Sequence, residues 1–87
     1  MMKITMFIMA SCPYCKEALR LTDALFAEDT KYKDIEIETI DETVRPDIAN
    51  RYDYYHVPAF YAGGKKLHEG AVNPEIIKRV FNGALEG

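Results

Sequence analysis

The period of apolar and polar positions changes along the chain, and the changes divide it into strands and helices. The first run, Lys3 to Met9, is almost wholly apolar and rich in strand-forming residues, which is typical of a central strand covered on both faces. From Tyr14 to about Glu28 the period becomes helical. The apolar positions of this helix, which we expect to pack against the sheet, are Cys15, Ala18, Leu19, Leu21, Thr22, Leu25 and Phe26.

The middle of the chain predicts one more strand and one more helix. Asp34 to Ile40 alternates between apolar and charged residues, which indicates a strand at a sheet edge with one wetter face. We expect the helix to run from about Thr43 to Tyr52, with Pro46 tolerated in its first turn. We interpret Asp41-Glu42 as acidic residues that stabilise the start of this helix rather than as a catalytic carboxylate pair.

A hairpin and a last helix complete the pattern. Ala59 to Ala62 and Lys66 to Gly70 are predicted strands joined by Gly63-Gly64, because a glycine pair supplies the positive φ angles of a tight turn. Asn73 is expected to cap a helix that begins at Pro74. The order β-α-β-α-β-β-α predicts an α/β fold in which a four-stranded mixed sheet carries helices on both faces.

Composition narrows the possible functions. A chain of 87 residues forms one domain, 1–87, and its net charge of -3 with mixed signs offers no basic stripe for nucleic acid. The apolar start carries a lysine and no cleavage pattern, so we interpret it as a strand and expect no membrane partner. Two cysteines are too few for a disulfide-stabilised small protein, which favours a reducing cytoplasm.

Both cysteines lie in Cys12-Pro13-Tyr14-Cys15 at the head of the first predicted helix. Pro13 suits the first helical position and Cys12 the cap, where free N–H groups and the helix dipole stabilise a thiolate. Such settings lower a cysteine pKa from about 8.5 to between about 3.5 and 7.5. Cys15 lies one turn deeper on the same face. We therefore expect Cys12 to be the attacking sulfur and Cys15 the resolving sulfur of a reactive dithiol.

The same spacing also occurs in half of a zinc site. A tetrahedral site needs two more ligands, and the chain offers only His56 and His68, which lack the usual short spacing. A structural disulfide is disfavoured as well, because closing so short a loop constrains the unfolded chain very little.

The dithiol, followed downstream by Val57-Pro58 at the start of a hairpin, resembles the thioredoxin fold across nearly the whole chain. The resemblance implies that Pro58 is cis and lies against the cysteines. Because proline has no N–H there, the backbone of Val57 is left to pair with an extended substrate segment. Tyr14 is expected to offer a flat exposed surface to substrate.

The chain resembles two branches of the family, each in a different segment of its sequence. Pro13-Tyr14 is the dipeptide of glutaredoxins, but Met9 stands where they place a basic residue. After the hairpin, glutaredoxins have a glycine pair followed by an aspartate, whereas this chain has Gly70-Ala71-Val72-Asn73-Pro74. The second glycine and the aspartate are replaced, so Gly70 is the candidate substrate-binding residue in this segment. The segment from Val57-Pro58-Ala59-Phe60 to Glu69-Gly70-Ala71 resembles short, glutaredoxin-sized thioredoxin-like proteins that are reduced by a reductase.

The resemblance implies a monomeric cytoplasmic oxidoreductase that carries electrons to protein disulfides and serves cell redox homeostasis. Its electrons would come from a thioredoxin-reductase-type donor or from glutathione, with no resident cofactor. One alternative is a glutathione-dependent glutaredoxin acting on glutathione mixed disulfides. Another is a metal or iron–sulfur module in which Cys12 of two chains, with glutathione, holds a cluster.

Two further side chains are candidates for assisting the dithiol. Lys16 stands at the helix start and would stabilise a thiolate, although exposed lysines there are commonly only solvated. His56 precedes Pro58 by two residues, so it either lowers the Cys12 pKa, contacts substrate, or simply faces solvent.

Overall fold

The computed structural model describes residues 2–86, which form a mixed four-stranded sheet with helices on both faces. The strands are β1 (Met2–Ile8), β2 (Ile35–Asp41), β3 (Ala59–Ala62) and β4 (Lys65–Glu69). The helices are α1 (Pro13–Glu28), α2 (Pro46–Ala49) and α3 (Pro74–Glu86), with a 3-10 turn at Thr30–Tyr32 that the sequence pattern did not predict. The strand order is β2-β1-β3-β4, with β1 parallel to β2 and antiparallel to β3, which confirms the predicted fold class.

The strand boundaries lie within one residue of those predicted. β1 and β4 begin and end one residue earlier than expected, and β2 one residue later. β2 is an edge strand, as its alternation indicated. Gly63 and Gly64 have φ angles of 58° and 81°, so the turn between β3 and β4 requires the conformation that glycine adopts most readily.

The helix predicted from about Thr43 to Tyr52 is wrong in extent, since α2 covers only Pro46–Ala49. Arg45 has a non-helical conformation (φ -124°, ψ 63°), as expected of a residue whose α region is restricted by a following proline. The preceding residues form a turn instead. Asp41 Oδ1 accepts hydrogen bonds from the Thr43 N–H (2.8 Å) and from the Thr43 hydroxyl (2.6 Å).

One face of the sheet packs against α1 and α3 and holds the larger core. Phe81 of α3 is fully buried, and its ring lies edge-on to Phe26 with the centroids 5.2 Å apart. Asn73 caps α3 as predicted, its Oδ1 accepting the Ile76 N–H (2.8 Å). The buried members of this cluster are Ile4, Met6, Ala18, Leu21, Leu25, Tyr32, Ile35, Phe60, Ile77, Val80, Phe81 and Ala84.

The opposite face carries a smaller, aromatic cluster beneath α2. Phe7 of β1 is fully buried, and its ring centroid lies 4.6 Å from that of Tyr52 and 5.0 Å from that of Tyr54. Tyr61 of β3 contacts Tyr52 edge-on, with centroids 4.8 Å apart. Tyr55, the next aromatic residue of this segment, is 82% exposed and belongs to no core.

Candidate active site

Cys12 is the cap of α1. Its backbone is extended (φ -84°, ψ 121°), and Pro13 takes the first helical position. The Cys12 N–H donates to the Met9 carbonyl (2.9 Å), and the Cys12 carbonyl accepts the N–H groups of Cys15 (3.1 Å) and Lys16 (3.2 Å). These bonds turn the chain from β1 directly into α1. The cap therefore lies where the sequence predicted, with a partly exposed side chain.

The pKa of Cys12 lies below the ordinary value of a thiol. The backbone N–H of Cys15 is the largest cause, and the Tyr14 N–H and the Cys15 thiol lower the pKa further, whereas partial burial and Glu42 oppose them. The neutral thiol makes no capping hydrogen bond, but N–H groups at a helix start favour the thiolate. Cys12 is thus the more acidic sulfur of the pair.

Cys15 differs from Cys12 in both burial and acidity. It is 1% exposed, and burial is the main reason why its pKa rises to about 11. The Met9 N–H donates to Cys15 Sγ at 3.4 Å and opposes that rise, whereas Cys12 and Glu42 add to it. Cys15 therefore stays protonated at a pH where Cys12 loses its proton, and it lies one helical turn below the exposed sulfur.

The loop before β3 contains the predicted substrate-facing residues. The Val57–Pro58 bond is cis, as the resemblance implied, and Pro58 is buried. The Pro58 carbonyl accepts the Gly70 N–H (2.8 Å), and Gly70 has a φ of 94°, which disfavours other residues. Within residues 2–86, neither the N–H nor the carbonyl of Val57 takes part in a backbone hydrogen bond.

Glu69 holds this loop, a role that sequence reasoning missed. Its Oε2 accepts the N–H groups of Tyr55 (2.7 Å) and His56 (3.2 Å), and its Oε1 accepts Lys66 Nζ (3.1 Å). The Tyr55 N–H is the largest of the contacts that lower the pKa of Glu69 to about 2. Lys66 of β4 is therefore part of this cluster.

Tyr14 and His56 are both exposed, and they lie on different segments. Tyr14 is 59% exposed in the first turn of α1, where the sequence predicted a surface for substrate. The His56 side chain is exposed as well, and a Cβ added at Gly70 would lie 3.9 Å from His56 Cβ. The groups with the largest effect on the Cys12 pKa belong to Cys15 and Tyr14. Assistance by His56 remains a prediction.

The carboxylates at the end of β2 border the dithiol loop. Asp41 Oδ2 accepts the Ala10 N–H (3.3 Å), and the Glu42 N–H donates to the Ile8 carbonyl (2.9 Å). Glu42 Oε1 accepts the Tyr54 hydroxyl (2.8 Å). The interpretation of this pair as helix-entry residues is wrong, because α2 begins only at Pro46 and both residues connect β2 to neighbouring loops.

Two observations concern other kinds of site. Among residues 2–86, no three or more His, Cys, Asp and Glu side chains are grouped so that they would hold a metal ion. No helix in the same range is long and apolar enough to cross a membrane. A cluster shared between two chains stays an untested alternative.

The dithiol at the start of α1 and the cis proline before β3 agree with the sequence comparisons. Residues 2–82 match the family model of the thioredoxin domain. The chain belongs to the thioredoxin-domain family. No curated protein sequence is significantly similar to it.

Solved structures similar to this thioredoxin-domain protein include two thioredoxins. Thioredoxin 1 of Thermosipho africanus is 27% identical with a TM-score of 0.66, and the match covers 98% of this chain and 96% of that one. Mitochondrial thioredoxin 3 of Saccharomyces cerevisiae is 21% identical with a TM-score of 0.73, covering 99% and 78%. A protein disulfide oxidoreductase of Aeropyrum pernix is 26% identical with a TM-score of 0.65, covering 98% and 38%. Together with the dithiol, these similarities support thiol–disulfide oxidoreductase chemistry.

Proposed function

We propose that the protein reduces disulfide bonds of other proteins through Cys12 and Cys15. The observation that carries the proposal is the placement of two neighbouring thiols, the partly exposed Cys12 at the cap of α1 and the buried Cys15 one turn further along the helix. The pKa is lowered at Cys12 and raised at Cys15, which agrees with this placement. An exposed thiolate attacks, whereas a buried thiol waits until its partner has captured a substrate. This difference assigns a separate step to each sulfur.

The first step forms a mixed disulfide. The Cys12 thiolate attacks one sulfur of the substrate disulfide, a Cys12–substrate S–S bond forms, and the other substrate sulfur leaves as a thiolate that takes a proton from solvent. Cys12 is suited to this attack because it is partly exposed at the start of α1.

The second step releases the substrate. Cys15 gives its proton to solvent and attacks the Cys12 sulfur, which forms the Cys12–Cys15 disulfide and expels the second substrate sulfur as a thiolate. In total two electrons pass from the protein dithiol to the substrate, which becomes a dithiol. The Cys15 N–H donates to the Cys12 carbonyl (3.1 Å), so the helix holds the two cysteines within one turn of each other.

Substrate binding is proposed to use the backbone beside the dithiol. Because Val57 has no backbone partner within residues 2–86, its N–H and carbonyl are available to an extended segment next to the substrate disulfide. Tyr14 offers an exposed ring in the first turn of α1, two residues after Cys12. Gly70 supports this surface from behind through its bond to the Pro58 carbonyl.

The oxidised protein needs two electrons from an external donor. We propose a thioredoxin-reductase-type donor in a reducing cytoplasm, because Met9 and Ala71 replace residues that glutathione-binding relatives are expected to use. The Pro13-Tyr14 dipeptide favours glutathione as the second candidate donor. No resident cofactor is required, since the dithiol itself carries the electron pair.

Replacement of the resolving sulfur tests the two-step scheme. Cys15→Ser should accumulate a covalent adduct with a disulfide-containing protein substrate, visible by mass spectrometry and removed by added thiol. Cys12→Ser is the matched control and should form no adduct. Sustained turnover of protein disulfides by Cys15→Ser without a small thiol would contradict the scheme.

A paired turnover assay identifies the donor. With one disulfide substrate, reduction should be faster with NADPH and thioredoxin reductase than with glutathione and glutathione reductase. The opposite ranking would assign the protein to glutathione-dependent chemistry while leaving the dithiol mechanism in place.

A further inference from the structure

A cavity of about 490 Å³ opens between the end of β2, α2 and the loop that leads to Pro58. Tyr52, Tyr54 and Tyr55 supply its aromatic walls, and Glu42 contributes its only charge. The dithiol mechanism described above does not use it.

The chemistry of the cavity suits a cation. Glu42 forms no ion pair with a lysine or arginine of residues 2–86, and its Oε1 accepts only the Tyr54 hydroxyl. Arg45, the basic residue nearest to it in the sequence, is paired with Asp47 (3.2 Å). A carboxylate beside tyrosine rings attracts lysine or arginine through both ion pairing and cation–π contact.

The cavity lies close to the dithiol. The Glu42 N–H donates to Ile8, the last residue of β1, and the loop from there ends at Cys12. Asp41, the residue before Glu42, accepts the Ala10 N–H (3.3 Å), two residues before Cys12. Residues next to a substrate cysteine bound to Cys12 would therefore lie within reach of Glu42.

We propose that this cavity is a subsite for a lysine or arginine side chain located a few residues from the substrate disulfide. The proposal rests on the proposed function and adds a preference among its protein substrates. Tyr55, 82% exposed, covers the side chain, while Glu42 pairs with its charge. The net charge of -3 adds a weak general attraction for basic partners.

Matched disulfide peptides test the preference. Two peptides that differ only in lysine or norleucine next to the disulfide should differ about five- to tenfold in kcat/KM, as expected of a partly exposed ion pair with cation–π contact. Glu42→Gln keeps an acceptor for the Tyr54 hydroxyl and should reduce the ratio to about twofold or less. Glu36→Gln, which removes a charge from the exposed edge of β2, should leave the ratio unchanged. Equal rates for the two peptides, or a ratio that survives Glu42→Gln, would overturn the subsite.

A binding measurement separates this inference from the proposed function. Peptides with serine in place of cysteine cannot react, so the lysine peptide should shift the ring NMR signals of Tyr52, Tyr54 and Tyr55 more than the norleucine peptide does. Tyr55→Leu should weaken that binding, since leucine has no ring face for a cation. If neither disulfide peptide is reduced, the proposed function is wrong. The NMR shifts of the tyrosine rings then test the subsite by themselves. Identical shifts with the two serine peptides would overturn it.

Discussion

The two faces of the sheet differ in what holds them together. The face beneath α1 and α3 is a deep apolar core in which Phe81 is fully buried. The face beneath α2 is shallower and built from tyrosines whose hydroxyls bind polar groups, Tyr54 to Glu42 and Tyr61 to the Asp53 carbonyl. Tyrosine suits this second face because its ring packs while its hydroxyl stays hydrogen-bonded near solvent.

We infer that this difference separates the part of the molecule that stabilises the fold from the part proposed to recognise substrate. Burying large apolar side chains supplies most of the stabilisation of a small domain, so the α1 and α3 face carries that role. The α2 face borders the dithiol loop through Asp41 and Glu42, and its polar contacts hold the loops that we propose as the substrate-binding surface. Substitutions on the two faces should therefore have different effects.

The largest expected effect is on the deep core. Phe81→Ala should reduce the free energy of unfolding by about 3–5 kcal/mol, because it removes a buried ring and leaves a cavity. Urea denaturation measures the loss. Val44→Ala, at a residue 69% exposed, is the control and should change the stability by less than about 0.5 kcal/mol. A loss below about 1 kcal/mol for Phe81→Ala would show that the two faces do not differ as described.

A smaller effect is expected from one hydroxyl of the tyrosine face. Tyr61→Phe removes the hydrogen bond to the Asp53 carbonyl and should cost about 1 kcal/mol, again measured with urea. Tyr52→Phe is the matched control, since within residues 2–86 the Tyr52 hydroxyl has no protein partner. If the two variants are equally stable, the hydroxyl contacts do not support this face.

The smallest expected effect is the pH dependence that Glu69 confers. Its folded pKa is about 2, below the ordinary glutamate value, so its stabilising contribution is complete above about pH 4.5 and is lost as the pH falls towards 2. Unfolding measured between pH 5 and 2 should therefore depend less steeply on pH in Glu69→Gln than in the wild type. Glu36→Gln should keep the wild-type slope. Identical slopes for Glu69→Gln and the wild type would exclude the loop contact.

The helices and strands with a strong local sequence pattern were predicted correctly, whereas α2, whose pattern is weaker, was not. α1 and α3 were predicted because their apolar positions repeat at helical spacing over several turns, and β1 because its residues are almost wholly apolar and strand-forming. The extent of α2 was overestimated because two local interactions compete with helix in that segment. Asp41 folds Thr43 into a turn, and Pro46 restricts the residue before it.

In the candidate active site, too, the features that depend on sequence neighbours were predicted and those that depend on distant residues were not. Cys12 and Cys15 are neighbours in the sequence, so their positions at a helix start followed from local rules. The contacts of Glu42 with Tyr54, and of Glu69 with the loop at Tyr55, join residues that are far apart in the sequence. The hairpin pattern gave no signal for Glu69, because a regular two-residue turn would pair Ala59 with His68, and only the irregularity between Phe60 and Tyr61 places Glu69 opposite Ala59.

The central claim is that the two sulfurs differ in acidity, and the rate of alkylation against pH measures this directly. Iodoacetamide labelling of the reduced protein, resolved by mass spectrometry, should show Cys12 reacting with a midpoint below that of a free cysteine peptide measured in the same way. Cys15 should remain unlabelled at neutral pH, because its pKa is raised to about 11. A Cys12 midpoint at or above that of a free thiol, or equal labelling of the two cysteines at neutral pH, would contradict the account.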